Sequence, residues 1–474
     1  MSKSENHHPI YLLSSYLKQW RGRVIKASTY SVLNKLFDVA PEVLIGVAVD
    51  LVVKKNQSFV ASLGFESINS QVLFIGGLTF AIWVLESLFE YLYLIEWRGL
   101  AQNLEHNLRI RAYDHAQLLD LSWHEKQTIG NITSILNDDV NQLERFLNNG
   151  VNQIIQVTTS TVLIGIIFFY ISPLIASIAI VPVPIIFFIG VFFQKKLSPR
   201  YKIIREKVGA LNTTIVNNLM GIQIIKSLMT FSFEKQSVSK MSQEYQQENI
   251  RAISISSAFN PLIRMGVLAG FLGTMLIGSY MALSGTLEVG SYSVLVFLTQ
   301  RFLWPFTTLS TLIDDFERTM ASTKRIFNMM NVDIKIKNIE SPILLNDCKA
   351  DISFDNVGFS YDNQKPLFEN FNLSIPFGSS IGVVGDTGSG KTTIAKLLLR
   401  LYDIDKGKIT IGETPLDTID ISFLRKRIGI VNQSPFLFNA SIRDNIGYGL
   451  KNLTMDQIEH AANQSQATEF IEKL

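Results

Sequence analysis

A long uninterrupted run without charge limits how this chain can fold more than any other feature. The 49 residues 146–194 contain no Asp, Glu, Lys or Arg. A helix needs about 20 apolar residues to cross the hydrocarbon core of a bilayer, so this run predicts two membrane-spanning helices. The pair Ser172-Pro173 is the natural turn between them. Only 18% of all residues are charged, which also argues against an ordinary cytosolic enzyme.

Four further segments predict a bundle of six spans. Residues 67–85 and 265–287 are uncharged and long enough to cross a membrane, whereas 22–53 and 289–313 each carry charges. Basic residues are concentrated in the long segments flanking the spans, which the positive-inside rule places in the cytoplasm. We therefore expect a multi-pass protein of the plasma (inner) membrane, with its N-terminus and its C-terminal half cytoplasmic. Helical patterning in those long segments predicts that the spanning helices continue into the cytosol.

The composition and the N-terminus exclude several other classes. Residues 10–20 predict a short amphipathic helix on the membrane surface, and no signal-peptide pattern precedes it. The single cysteine, Cys348, excludes an intrachain disulfide. A formal net charge of +2 gives no support for nucleic-acid binding. The predicted domains are an N-terminal tail and interfacial helix at 1–21, a membrane domain at 22–335, a linker at 336–349 and a soluble domain at 350–474.

The soluble half has the pattern of an α/β domain. Short β-rich runs alternate with helical runs after residue 390, which predicts an α/β fold with at least part of a parallel sheet. The predicted strands are Asp351–Tyr361, Phe371–Ile375, Ser379–Val384, Lys408–Ile411 and Ile428–Val431.

One motif carries the chemistry of the soluble half. Residues 385–392, GDTGSGKT, fit the pattern G-x-x-x-x-G-K-[ST] of a nucleotide phosphate loop. The glycines let several backbone N–H groups converge on one anion, and the helix that follows adds the positive end of its dipole. Lys391 supplies a point charge to the β- and γ-phosphates, and Thr392 offers a hydroxyl to Mg²⁺. An apolar strand-like run before the motif and an apolar helical run after it match the required context.

The six spans followed by this motif make the chain resemble an ATP-binding cassette (ABC) exporter, a half-transporter whose membrane domain precedes its nucleotide-binding domain. The resemblance covers essentially all 474 residues. Phe359-Ser360-Tyr361 resembles the aromatic loop on which adenine stacks, and Gln433, within 431–438, resembles the glutamine loop that reaches Mg²⁺ and the attacking water. The resemblance implies that ATP and Mg²⁺ bind, with Thr392 and Gln433 at the metal. The residues implied at the nucleotide are Tyr361, Gly385, Asp386, Thr387, Gly388, Ser389, Gly390, Lys391, Thr392, Thr393 and Gln433.

The resemblance also implies partners. Stretches around 121–127 and 221–226 resemble the short coupling helices that dock onto the cassettes of such exporters. A second half-transporter subunit, identical or different, and membrane lipid are the expected partners.

The chain departs from the family pattern within the cassette. We find no Ser-Gly-Gly-Gln-type signature loop, no second apolar strand ending in Asp-Glu and no switch histidine, and the sequence ends at Leu474, before the signature is due. We therefore expect an incomplete cassette, Gln433 being the single catalytic-type residue present. On its own this polypeptide is expected to bind Mg-ATP weakly and to hydrolyse it negligibly, with a separate chain as a possible source of the missing half.

Charged residues inside the predicted spans are candidates for substrate contact, because charges there are costly and often functional. Asp38 and Glu42 lie four residues apart on one helix face, and Glu86 and Glu90 repeat that spacing. Arg301 lies midway along the sixth span beside aromatic residues. Such a lining would suit amphiphilic or lipid-like cargo. The alternative is that these groups pair with one another or extend to the membrane interface.

Three classes of function remain to be compared. The first is half of an ATP-driven exporter, which the phosphate loop and the spans favour. The second is a non-transporting remnant or regulatory membrane protein that at most binds nucleotide, which the missing hydrolytic residues favour. The third is a membrane-anchored kinase or GTPase, and the absence of an N-K-x-D element after Lys391 argues against it.

Overall fold

The computed structural model describes residues 9–344, 349–361 and 365–473, except for the side chains of residues 309 and 310. Two compact units make up the chain. The first is Met1–Leu119 with Gln127–Asp333, and the second is Asp120–Lys126 with Ile334–Leu474. Cys348 and part of the predicted linker lie outside the described residues.

The first unit is built from helices. They are α1 (Pro9–Leu17), α2 (Arg21–Lys54), α3 (Phe59–Ser62), α4 (Ile68–Leu118), α6 (Ile129–Ser134), α7 (Val140–Arg145), α8 (Val151–Ile171), α9 (Pro173–Ile180), α10 (Pro182–Met220), α11 (Ile222–Ser227), α12 (Phe231–Ser256), α13 (Phe259–Leu283), α14 (Val289–Leu303) and α15 (Leu309–Met330), with α5 (Leu121–Lys126) belonging to the second unit.

Several of these helices are longer than a bilayer requires. Among the described residues, four continuous helical segments combine the length and composition of a membrane span: Ile68–Leu118, Ile129–Ile171, Pro173–Met220 and Phe231–Leu283. The 51 residues of α4 extend about 75 Å, whereas the hydrocarbon core is about 30 Å thick. Helices also occupy the two charged spans predicted from the sequence, as α2 and α14. The long helices therefore fit a multi-pass protein whose helices continue beyond the bilayer.

The predicted turn between the two uncharged spans is a helix boundary. Pro173 occupies the first turn of α9, and the Ser172 hydroxyl accepts a hydrogen bond from the Ile175 N–H at 3.4 Å. A serine N-cap followed by proline is a favourable way to start a helix, because the cap satisfies a free N–H and proline has none to lose. The local sequence therefore accounts for this boundary.

Close backbone contact joins α2 to α14. A Cβ atom on Gly46 would lie 2.7 Å from the Gly290 carbonyl oxygen, and one on Gly290 would lie 2.4 Å from the Gly46 oxygen. The Gly290 N–H donates to the Asp50 carboxylate at 2.9 Å, which satisfies a free N–H in the first turn of α14. Lys54 adds an ion pair to Glu288 at 2.7 Å. Small residues thus let these two helices approach closely, as in membrane helix packing generally.

A buried aspartate is the last residue of a locally widened helical segment. Residues Ile135–Asp139 form a π-helical segment between α6 and α7, and Asp139 is 2% exposed. Its carboxylate accepts hydrogen bonds from the Ser322 hydroxyl at 2.8 Å and from the Arg325 Nε at 2.7 Å, both on α15. The contact joins residues 186 positions apart in sequence.

Replacing Arg325 with alanine is expected to lower the free energy of unfolding by about 2–3 kcal/mol, because the buried Asp139 carboxylate loses its charged partner. Arg318→Ala provides a matched control on the same helix. Arg318 also pairs with an aspartate, Asp314, but that carboxylate is 50% exposed, so its loss should cost under about 1 kcal/mol. Chemical unfolding of both variants in detergent micelles checks the difference. Equal effects would contradict the role assigned to burial.

The second unit combines a small sheet with short helices. Its strands are β1 (Ile352–Phe359), β2 (Phe368–Ile375), β3 (Lys406–Ile411) and β4 (Thr414–Pro415), and its helices besides α5 are α16 (Lys391–Leu398), α17 (Ile421–Arg427), α18 (Ile442–Ile446), α19 (Met455–Gln464) and α20 (Thr468–Ile471). In the described part of the unit the strand order is β2-β1-β3-β4. Ile352 pairs antiparallel with Ile375 on one side and with Ile411 on the other.

The core of this unit lies between the sheet and helix α16. Phe354, Val357 and Ile409 of the sheet are buried against Leu397 of α16 and Leu424 of α17. The sequence prediction of an α/β domain is therefore confirmed. Helix α19 begins after its N-cap residue, Thr454. There the Thr454 hydroxyl and the Gln457 side chain form a capping box.

Two of the predicted strands are wrong. Ser379–Val384 and Ile428–Val431 have no strand structure, and Val384 and Val431 are 97% and 100% exposed. The predicted parallel portion of the sheet is likewise not formed by strands among the described residues, whose single parallel pairing is an isolated bridge from Ile343 to Ile419. The physical reason is that a strand needs a neighbour for its backbone hydrogen bonds, and the described residues bring none to these two segments.

Candidate functional site

The phosphate loop lies directly before helix α16, as the motif requires. Lys391 is the first residue of α16, and its Nζ donates to the Gly385 and Asp386 carbonyl oxygens, both at 2.7 Å. Its ammonium group thus lies across the loop that residues 385–390 form. The free N–H groups of the first helical turn and the Lys391 charge together make an anion-binding site.

Two glycines permit the loop conformation. Gly388 and Gly390 have φ angles of +90° and +93°, a region that residues with side chains rarely adopt. At Gly390 a Cβ atom would also lie 2.8 Å from the Phe368 ring. At these two positions the backbone conformation therefore explains why the motif has glycine.

The structure brings Tyr361 to the helix that follows the phosphate loop. The Tyr361 hydroxyl lies 2.9 Å from the Thr393 hydroxyl, in the first turn of α16. Its ring packs edge-on against Phe359, with centroids 4.8 Å apart, and against Tyr402, with centroids 5.2 Å apart. Tyr361 remains half-exposed. An aromatic ring held beside a phosphate loop suits a purine base, because offset stacking of π systems is favourable.

Three residues beside Tyr361 were not predicted from the sequence. Glu125 of α5 accepts a hydrogen bond from the Tyr402 hydroxyl and pairs with the Lys396 Nζ at 2.8 Å. Lys396 lies in α16, and its Nζ is 5.7 Å from the centre of the Tyr361 ring. Glu125 and Lys396 are 271 positions apart. The related prediction from the sequence is the coupling stretch around 121–127. It predicted helix α5 but not the contacts of Glu125 with Lys396 and Tyr402.

Gln433 lies outside the phosphate loop in sequence, within the segment 431–438. It is exposed in a segment without helix or strand, and the described residues include no hydrogen bond between it and the loop. Thr392 is also exposed, at the start of α16. Their amide and hydroxyl oxygens are ligands that Mg²⁺ accepts. No group of three or more His, Cys, Asp or Glu capable of holding a metal occurs in the described part of the chain. The Thr392 hydroxyl, at the start of the helix that follows the phosphate loop, is therefore placed to bind a metal ion held by the phosphates, whereas the role of Gln433 at that metal stays a prediction.

The charged candidates of the membrane unit form an ion-pair group. Arg301 of α14 pairs with Asp38 at 2.5 Å and with Glu42, both on α2, and Lys35 pairs with Asp38 at 2.6 Å. The Asp38 and Glu42 side chains are only 18% and 12% exposed. This arrangement is the alternative considered from the sequence, in which these groups pair with one another.

The second acidic pair is less involved in that group. Glu86 is half-buried and interacts electrostatically with Asp38 and Arg301, whereas Glu90 is exposed. The predicted contact of all five residues with a substrate stays a prediction.

Comparison with known proteins gives two matches to protein families. Residues 25–306 match the family described as ABC transporter transmembrane region, and residues 368–474 match the family described as ABC transporter. The structure is similar to that of a bacterial Atm1-family ABC exporter with ATP bound, with a TM-score of 0.76 and 21% sequence identity. The similarity covers 97% of this chain and 79% of that one.

Curated relatives are similar over most of this chain. The ABC transporter ATP-binding protein YknV of Bacillus subtilis is 28% identical over 100% of this chain and 77% of its own length. An ATP-dependent lipid A-core flippase of Sodalis glossinidius is 27% identical over 81% of this chain and 65% of its own length. The multidrug resistance-like ATP-binding protein MdlA of Buchnera aphidicola is 26% identical over 94% of this chain and 75% of its own length. This chain therefore spans about two thirds to three quarters of these relatives.

Proposed function

This chain belongs to the ABC transporter family, as an exporter-type half-transporter, and we propose that it drives export with ATP as one half of a dimer. The observation that carries the proposal is the phosphate loop, where Lys391 lies across residues 385–390 at the start of α16. Membership of the family implies ATP binding. Mg²⁺ would be held by the nucleotide phosphates together with Thr392 and Gln433, and would supply charge neutralisation at the β- and γ-phosphates.

We propose an amphiphilic or lipid-like cargo. The described membrane unit contains a small apolar recess, which is lined by Ile186, Phe187, Val191, Gln194, Phe306 and Ile313. The Phe306 ring at this recess contacts the Phe302 ring of α14, the helix that also contains Arg301. The support for this cargo class is the similarity to lipid A-core flippases.

The membrane orientation and the partners are parts of the same proposal. The density of basic residues in the long segments supports a cytoplasmic cassette in the plasma (inner) membrane. Half-transporters of this family generally dimerise, so a second subunit, identical or different, completes the transporter. The segments 379–384 and 428–431 contain exposed apolar side chains and have no strand partner among the described residues. This exposure supports the proposal that they pair with further strands of the cassette, which the same chain or a separate chain supplies. The domain boundaries at 21, 335 and 349 remain as proposed from the sequence.

Inverted membrane vesicles from cells that make the protein test the transport proposal. We expect ATP-dependent uptake of a fluorescent lipid analogue, and loss of that uptake in Lys391→Ala vesicles with equal amounts of protein. A soluble peptide and a cationic dye, measured in parallel, identify the cargo class. Uptake that persists in the Lys391→Ala vesicles would contradict ATP-driven export by this chain.

A further inference from the structure

Helix α5 contributes a carboxylate to the surroundings of the phosphate loop. Glu125 stands near the end of α5 (Leu121–Lys126), and Leu121 of the same helix packs against the core of the second unit. One carboxylate oxygen of Glu125 accepts the Lys396 ammonium at 2.8 Å, and the other accepts the Tyr402 hydroxyl. Hydrogen bonds with an ionised partner are among the stronger ones, so Glu125 holds both side chains in place.

The two side chains that Glu125 holds both border Tyr361. The Tyr402 ring meets the Tyr361 ring edge-on at 5.2 Å and 85°, and the Lys396 Nζ lies 5.7 Å from the Tyr361 ring centre. Edge-on aromatic pairs and cation–π contacts are both directional. A change in Tyr402 or Lys396 is therefore transmitted to the orientation of Tyr361.

A third contact relates Tyr361 to the phosphate loop. Its hydroxyl is hydrogen-bonded to Thr393 at 2.9 Å, two residues after Lys391. The ring is thus tied to α16 at its hydroxyl and to Glu125, through Tyr402 and Lys396, along its body. The half-exposed part of the ring remains accessible to a planar base.

We propose that Glu125 is a positioning residue of the nucleotide site, which orients the base-stacking Tyr361 by holding Lys396 and Tyr402. The inference rests on the proposed ATP-binding function and names a residue that acts at its base end. Because the contacts of Glu125 with Lys396 and Tyr402 lead to Tyr361, we expect Glu125 to affect recognition of the base and not of the phosphates.

Binding measurements with two ligands on the full chain in lipid nanodiscs distinguish the base end of the site from the phosphate end. Mg-ATP carries a base and three phosphates, whereas magnesium tripolyphosphate carries the phosphates alone. For Glu125→Ala we expect the Kd for Mg-ATP to rise about 5- to 10-fold, as the loss of one charge-assisted contact allows, with the Kd for tripolyphosphate unchanged. Tyr361→Ala should change the two affinities in the same pattern, because stacking on an aromatic ring contributes to base binding alone.

Three further variants serve as controls. Glu125→Gln keeps an acceptor for the Tyr402 hydroxyl and should show a smaller effect than Glu125→Ala. Glu469→Ala removes an exposed glutamate that pairs with Lys473, where the side chains are 86% and 70% exposed, and should change neither affinity. Lys391→Ala should weaken both ligands, which identifies the phosphate end.

The outcomes are distinguishable. Normal binding of both ligands by Glu125→Ala would overturn the inference and leave the proposed function standing. An equal loss of both ligands would also overturn it, because it would show a general structural role instead of a role in base recognition. If the unmodified chain bound neither ligand, the proposed function itself would fail, and this inference with it.

Discussion

Replacing Lys391 with alanine is expected to weaken Mg-ATP binding by about 10- to 100-fold, because one charge-assisted contact to the phosphates disappears. In the structure the Lys391 ammonium lies 2.7 Å from the Gly385 and Asp386 carbonyl oxygens. An incoming γ-phosphate offers that ammonium a charged acceptor at the same loop. Isothermal titration of the purified full chain in nanodiscs measures the effect.

A second lysine of the same unit provides the matched control. Lys408 of β3 is 64% exposed and lies 3.6 Å from Asp355. Lys408→Ala removes the same charge at a distance from the loop and should leave ATP affinity unchanged. Equal losses in the two variants would mean that net charge governs binding, and the assignment of the phosphate loop would then be wrong.

Replacing Arg301 with methionine is expected to destabilise the membrane unit by about 3–5 kcal/mol, because Glu42 then loses its charged partner and Asp38 keeps only Lys35. Both carboxylates are more than four-fifths buried and both pair with Arg301. One of the Glu42 oxygens, Oε2, already has no hydrogen-bond partner among the residues that the structure describes. The expected result is a lower yield of monodisperse protein and a lower melting temperature in detergent.

A variant that removes most of the charge of the group tests the cause of that loss. Arg301→Met combined with Asp38→Asn and Glu42→Gln removes Arg301 together with both carboxylates and leaves Lys35, and replacement of buried ion pairs by neutral side chains is often neutral or stabilising. We therefore expect the triple variant to recover much of the stability. If it also transports normally, these residues serve pairing and not cargo contact. A single variant as stable as the unmodified protein would contradict the buried-charge argument.

The phosphate loop was predictable because its information is local. Lys391 and residues 385–390 are consecutive, and their glycines allow the positive φ angles that the loop needs. The helix that follows was predicted from a short apolar run and is present as α16. The membrane helices were predictable for a related reason. A long segment without charge satisfies its own backbone hydrogen bonds as a helix and needs no distant partner.

The strand predictions failed where pairing was required. Ile381, Val383 and Val384 have the composition of a buried strand, yet these side chains are exposed. β1 and β3 formed because each has a neighbour in the described residues. Strand propensity therefore shows that a segment can pair as a strand. Whether it does pair depends on which segments lie beside it in space.

The membrane helices, the α/β unit, the phosphate loop and the exporter-type family could all be predicted without a structure. These depend on composition and on short consecutive motifs. Which charged residues pair became visible in the three-dimensional fold alone. It joined Arg301 to Asp38 and Glu42, Arg325 to Asp139, and Glu125 to Lys396, across separations of more than 180 residues. The physical reason is that an ion pair acts over a few ångströms, and no local pattern encodes which distant residues folding brings that close.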